Sequence, residues 1–157
     1  MKTGLPMVAN SKTVVLILGS FPSEQSLQQQ QYYANRTNDF WKLMSAVVGE
    51  DIASLDYDSR IKILLNKGIG LWDVIGKCER DGSADGNIRN PELNDFSILE
   101  KACPKLRLIC LNGGKAAAWE SDLQRYGYAT KPLPSSSGAN RRNADERQHQ
   151  WQSILDK

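Results

Sequence analysis

Apolar and polar positions alternate in blocks along this chain, and two periods account for most of them. The run Thr13–Gly19, "TVVLILG", is almost wholly apolar, rich in β-branched residues and closed by glycine. It is too short for a helix and has no exposed phase, which predicts a strand covered on both faces, as in parallel sheets. From Asn38 to Val48 the spacing changes. Phe40, Leu43, Met44, Val47 and Val48 recur at i, i+3, i+4, i+7 and i+8, with Gly49 behind them. That is one helical stripe followed by a stop signal. Another helix is predicted over Ser59–Lys67, with Ile61, Leu64 and Leu65 on one side, and "GLWDVI" (Gly70–Ile75) reads as a second strand.

The alternation then repeats. A helix over Asp95–Cys103 leads to the strand "LRLICL", a helix over Lys115–Tyr126 to the shorter strand "YATKPL", and a last helix, Asn143–Leu155, places Trp151, Ile154 and Leu155 inward. Pro132 removes a ladder donor and suits a sheet edge or a strand end. With no repeat and no linker in 157 residues, the pattern predicts one domain, 1–157, whose first twelve residues form a loosely ordered lead-in. The expected class is α/β, a three-layer α/β/α sandwich with a central, mostly parallel four-stranded sheet. Sites in such sheets collect beyond the carboxyl ends of the strands. The segments there are "GSFPSE", "DVIGK", "LNGGK" and "LPSSSGANRR", so these polar stretches should share one edge. Between the second and third strands, "GKCERDGSADGNIRNPELND" reads as a loop whose length points to function.

Composition removes several classes of chemistry. A net charge of +2 gives no global basic field, so any nucleic-acid surface must be local. No apolar run approaches a membrane span and no signal-peptide core is present, which predicts a cytoplasmic chain with no membrane partner. Cys78, Cys103 and Cys110 form no CxxC pair and read as reduced thiols, with Cys103 and Cys110 in the core. The only histidine, His149, falls opposite Trp151 and Leu155 on a helical wheel and reads as solvated. A metal site, a cofactor and triad-type catalysis are therefore not expected.

Three stretches carry candidate chemistry. "LNGGKAAAWE" could offer backbone N–H groups and Lys115 to a phosphate. It lacks the GxxxxGK[ST] spacing, though, and tight strand-to-helix packing explains its glycines equally well. "LPSSSGANRR" joins Pro134, Ser135, Ser136, Ser137 and Asn140 to Arg141 and Arg142, groups suited to gripping a phosphate backbone. A solvated loop of turn and cap residues is the alternative. In "YYANRTNDFW", Phe40 and Trp41 can be core, Asn38 a helix N-cap, and Tyr32 and Tyr33 packing at the sheet edge; or the group can face a ligand.

Five segments in order, "LGSFPSEQSL", "YYANRTNDFW", "GIGLWDVIGKCERDGSADGNIRNPELNDF", "LICLNGGKA" and "LPSSSGAN", resemble the uracil-DNA glycosylase superfamily, and within it the hypoxanthine (deoxyinosine) branch. The resemblance spans about residues 13–143. It implies a monomeric, monofunctional N-glycosylase whose partner is double- or single-stranded DNA carrying deaminated bases. Relatives keep a water-activating Asp or Asn in the loop after the first strand, where this chain has Ser20-Phe21-Pro22; the branch passes that role to the Asn of N-x-F-W, here Asn38. By the same correspondence Phe40 stacks on the flipped base, Asp73 lies where relatives place a base-reading Asn, and Ser20 and Phe21 belong to the base site. Ser23 and the serines of "LPSSSGAN" go to the DNA backbone. Arg36 and Gly138 stand where the family usually has proline, which predicts two looser loops. Other readings are a nucleic-acid-binding module of the same fold without the chemistry, and a nucleotide- or flavin-binding α/β protein built on "LNGGK". Within the glycosylase reading, uracil or xanthine can replace hypoxanthine as the main substrate.

Overall fold

A computed structural model describes residues 1–156. Its strands are β1 (Lys2–Thr3), β2 (Val15–Gly19), β3 (Ile69–Asp73), β4 (Ile75–Glu79), β5 (Arg89–Leu93), β6 (Leu108–Asn112) and β7 (Ala129–Leu133). The helices are α1 (Glu24–Gln29), α2 (Phe40–Val48), α3 (Tyr57–Asn66), α4 (Leu99–Ala102), α5 (Gly114–Ala117), α6 (Glu120–Gln124) and α7 (Ala144–Gln152). Strands β3-β2-β6-β7 form the expected four-stranded sheet, every pairing parallel. The uninterrupted apolar run becomes an interior strand, because its two side-chain phases feed two different cores. Val15 and Ile17 join Phe40 and Met44 of α2, Leu64 of α3, and Trp151 and Ile154 near the C-terminus. Leu16 and Leu18 join Leu99, Ala116 and Leu123 on the opposite face. Pro132 lies in edge strand β7, and all three cysteines are buried and free. Among the described residues no helix is long and apolar enough to cross a membrane.

Five regions depart from the sequence reading. The first twelve residues are fastened rather than loose. Thr3 and Lys2 pair with β4, the Gly4 N–H donates to the Gly76 carbonyl at 2.8 Å, and Val8 exchanges hydrogen bonds with Leu71 at 2.9 and 2.8 Å. They cover backbone groups on the β3 and β4 edges that would otherwise need water. The expected loop after the second strand is the hairpin β4–β5, with a 3₁₀ turn over Asp85–Asn87, and a three-stranded antiparallel sheet β1-β4-β5. All five residues of β5 are exposed, so no apolar phase marked it as a strand. Helix α1 is similarly polar, started by Ser23, whose side chain accepts from the Ser26 N–H. Finally, the two helices read as continuous are broken. Asp95–Cys103 is a 3₁₀ turn followed by α4, and Lys115–Tyr126 divides into α5 and α6, leaving Tyr126 48% exposed.

Candidate active site

The loops after β2, β3, β6 and β7 converge as the strand polarity requires, and they enclose a cavity of about 350 Å³. That volume is within the range of small-molecule sites. Its wall brings together Ser20, Phe21, Ser23, Asn38, Asp73, Ser135, Ser136 and Ser137, while the hairpin adds Ser83, Ala84 and Asp85. Tyr32 and Tyr33 also line it, as does Asn112, which the sequence did not single out for the site. Phe40, Lys115, Pro134, Asn140, Arg141 and Arg142 do not.

Asn38 sits one residue before the α2 cap, and its Oδ1 accepts from the Phe40 N–H at 2.9 Å. The same oxygen accepts from the Ser136 hydroxyl at 2.8 Å. One amide oxygen thus joins the start of α2 to the loop after β7. Asn112, at the end of β6, donates from Nδ2 to Ser136 Oγ at 2.9 Å and to the Tyr33 hydroxyl at 3.1 Å. Its Oδ1 takes the Ser136 N–H at 3.0 Å. Ser136 is only 1% exposed, so it is not the phosphate contact the sequence suggested; its hydroxyl is spent inside the wall. The sequence signal for Asn112 was a polar residue ending an apolar strand, overshadowed there by the two glycines after it.

Phe40 is likewise displaced from its expected place. It is fully buried, stacked on Tyr33 at 3.8 Å between centroids and 12° between planes, with Trp41 and Trp151 edge-on. Tyr33, not Phe40, gives the cavity its aromatic wall. Its backbone is left-handed (φ 55°), a state uncommon outside glycine and therefore unreadable from residue type. A stacked pair of this kind contributes about 0.5–1.5 kcal/mol beyond its burial, which helps to hold the unusual backbone.

Asp73 ends β3 with 5% exposure, and its Oδ2 has no hydrogen-bond partner. Burial, and secondarily the nearby Asp85 charge, push its carboxyl up to about 7 against an opposing pull from Arg80. Asp85 accepts the Ser20 hydroxyl at 2.8 Å. Arg80, 3% exposed, donates to the carbonyls of Pro22 at 2.6 Å and Gly82 at 2.7 Å and lies 5.1 Å from the Phe21 ring centroid. Through it the hairpin is fastened to the loop after β2.

On the other side, residues 134–142 are held from beneath. Buried Arg147 donates to the carbonyls of Ser135, Ser137 and Asn140 and, at 2.7 Å, to Asp39 Oδ2. Arg141 grips both oxygens of the same carboxylate at 2.8 Å. Those hydrogen bonds, Arg141 foremost, hold the Asp39 carboxyl well below the usual range despite its burial. Arg141 thus ties the loop to Asp39 while its side chain stays 55% exposed at the surface. At Gly138, where the family usually has proline, the loop lies in close contact with the segment before α2. A Cβ on Gly138 would stand 2.0 Å from the Thr37 carbonyl oxygen, so the missing side chain is what lets the two loops touch. Gly113, at φ 89°, permits a similar approach, since a Cβ there would lie 3.1 Å from that of Ser135. This supports the packing reading of "LNGGK" over a phosphate turn. Pro134 accepts from the Trp151 indole at 2.9 Å, and Lys115, Asn140 and Arg142 are exposed outside the cavity.

Comparison with known proteins agrees with this fold. The family model of the Uracil DNA glycosylase superfamily matches residues 6–157. A hypoxanthine DNA glycosylase of Methanosarcina acetivorans is 48% identical over 154 residues, covering 98% of both chains. Another, from Methanosarcina barkeri, is 44% identical over 150 residues, covering 96% of this chain and 95% of its own. The solution NMR structure of a Methanosarcina acetivorans chain described as a uracil DNA glycosylase superposes with a TM-score of 0.90 at 48% identity, covering 98% of this chain and 96% of that one.

Proposed function

The chain belongs to the uracil DNA glycosylase superfamily, and from that premise we propose that it is a monofunctional DNA N-glycosylase that removes hypoxanthine and leaves an abasic site. The observation that carries the reading is one cavity holding the Asn38 amide, the Tyr33 ring and the unpartnered Asp73 carboxyl together.

A base inside a duplex is out of reach, so it must swing into the cavity at a cost of a few kcal/mol, least for a mispaired base. Tyr33, backed by Phe40, offers the entering base a stacking face, a contact that contributes about 1–3 kcal/mol per base. Deamination leaves a C=O beside a ring N–H. An un-ionised Asp73 carboxyl matches that edge, its O–H donating to the C=O while its other oxygen accepts from the N–H. Uracil and xanthine present the same edge and are the secondary substrates of this reading. The C1′–N bond then lengthens, its electron pair leaving with the base, while the sugar gains oxocarbenium character. A water held near Asn38 adds to C1′ and releases its proton to the departing base or to solvent. Exposed Lys115, Arg142 and Arg36 are the cations assigned to the DNA backbone outside the cavity.

The test is release of free base from labelled duplexes carrying hypoxanthine, uracil or xanthine, with an abasic control. Hypoxanthine should leave fastest, strands should break only after alkali, and borohydride should trap no adduct. Binding of the hypoxanthine duplex without release would instead identify a binding module.

A further inference from the structure

An amide oxygen has two lone pairs, and both of those on Asn38 are in use. The Phe40 N–H fills one at 2.9 Å and the Ser136 O–H the other at 2.8 Å. The cavity-facing amide is left with its Nδ2 hydrogens to offer. The direction of the Ser136 proton decides this arrangement, and that direction is set one residue further away. Asn112 must present its Oδ1 to the Ser136 backbone, because an N–H can only donate. Its Nδ2 is thereby turned on Ser136 Oγ at 2.9 Å, and a hydroxyl that accepts from this side sends its own proton to Asn38. The second Nδ2 hydrogen reaches the Tyr33 hydroxyl at 3.1 Å. Asn112 terminates β6, a strand paired with β2 and β7, and is itself in register with Leu133 of β7, so this hub stands on a sheet strand rather than on a loop.

We infer that Asn112 is a positioning residue: through Ser136 it fixes the Asn38 amide with its NH₂ group toward the reacting centre, and directly it holds the Tyr33 ring. Asn38 then acts as a hydrogen-bond donor to the water or the departing base, rather than drawing a proton from the water. That suits a reaction led by bond breaking. The inference rests on the glycosylase reading of the cavity.

The informative variant is Asn112→Asp, measured by single-turnover release of hypoxanthine between about pH 4.5 and 8, the span into which burial in the cavity wall lifts an introduced carboxyl from its ordinary value near 4. The new carboxylate still accepts the Ser136 N–H but also attracts the Ser136 proton, releasing Asn38 Oδ1. The rate should fall about 100-fold at pH 8, as expected for a misplaced catalytic group. Affinity for the duplex should barely change. Acidification protonates the new carboxyl and restores a donor to Ser136, so the ratio of wild-type to variant rates should narrow as pH falls. A ratio that stays constant with pH, or a variant as fast as wild type, overturns the inference. Ser136→Ala covers the event that Asn112→Asp does not fold: its rate should fall at all pH values, and an unchanged rate likewise overturns it. Asn38→Asp tests the donor role separately. Loss of activity at neutral pH supports a donor, whereas retained or increased activity means an acceptor oxygen activates the water and refutes that role. Wild-type release of hypoxanthine is the control, since its absence would sink the glycosylase reading itself.

Discussion

The cavity has two walls built in opposite ways. On the Asn38 side two loops far apart in sequence are fused by a buried carboxylate shared between Arg141 and Arg147, with Gly138 pressed against Thr37. On the Asp73 side a hairpin with a fully exposed strand leans over the cavity and is fastened mainly through Arg80 and Asp85. In the proposed reaction the first wall carries the amide whose position matters most, and the second carries the groups that would meet the edge of the base. Rigidity has been concentrated where geometry governs rate, and polarity where it governs recognition.

Breaking the first wall should have the larger consequences. Asn38→Ala should lower single-turnover base release by about 10²–10⁴-fold, the span typical of a lost catalytic group, with duplex affinity in a gel-shift assay nearly unchanged. Arg147→Met leaves Asp39 with one arginine partner and takes one donor from each of three loop carbonyls, of which those of Ser135 and Ser137 keep a bond from Asn140. Removing one member of a buried pair costs about 3–5 kcal/mol, which urea unfolding should register as a lower midpoint. Gly138→Ala must drive the two loops apart, at about 1–3 kcal/mol, and should slow release by more than the stability loss explains.

The second wall should respond to pH rather than break. Asp73 has its folded carboxyl raised to about 7 from 3.8, so the folded state holds the extra proton between those values. Its contribution to stability is therefore complete below about pH 4 and declines as pH rises through 7. Release of hypoxanthine should decline over the same alkaline arm. Asp73→Asn keeps a donor and an acceptor at every pH and should flatten that arm; an unchanged profile would mean Asp73 does not read the base. The smallest effect is expected at the hairpin surface. Arg89→Ala removes an exposed 3.6 Å pair with Asp81 and should change the melting temperature by no more than experimental scatter.

The same contrast explains what could be read without coordinates. β2 was legible because both of its faces are apolar, and α2 because Phe40, Leu43, Met44, Val47 and Val48 keep helical spacing. Strand polarity then gathered Asn38, Asp73 and the 135–137 serines at one edge. The hairpin was illegible because β5 buries nothing, and the N-terminal segment because its ties are backbone hydrogen bonds that any residue can make. Tyr33 was missed as the aromatic wall because a left-handed tyrosine leaves no mark on composition. Ser136 is placed at the right loop but given to DNA, since a hydroxyl reads the same in sequence whether it faces solvent or a buried partner.

The contact between Gly138 and Thr37 bears on how this architecture can be re-engineered. A loop that closes to within van der Waals limits of another is not an independent module. A chimera that imports the 134–142 segment from a relative with proline at this position, while keeping the native 35–39 segment, brings a ring against a carbonyl with nowhere to go. The two segments are one structural unit in this chain, and a chimera that transplants them together should fold where one that exchanges 134–142 alone should not.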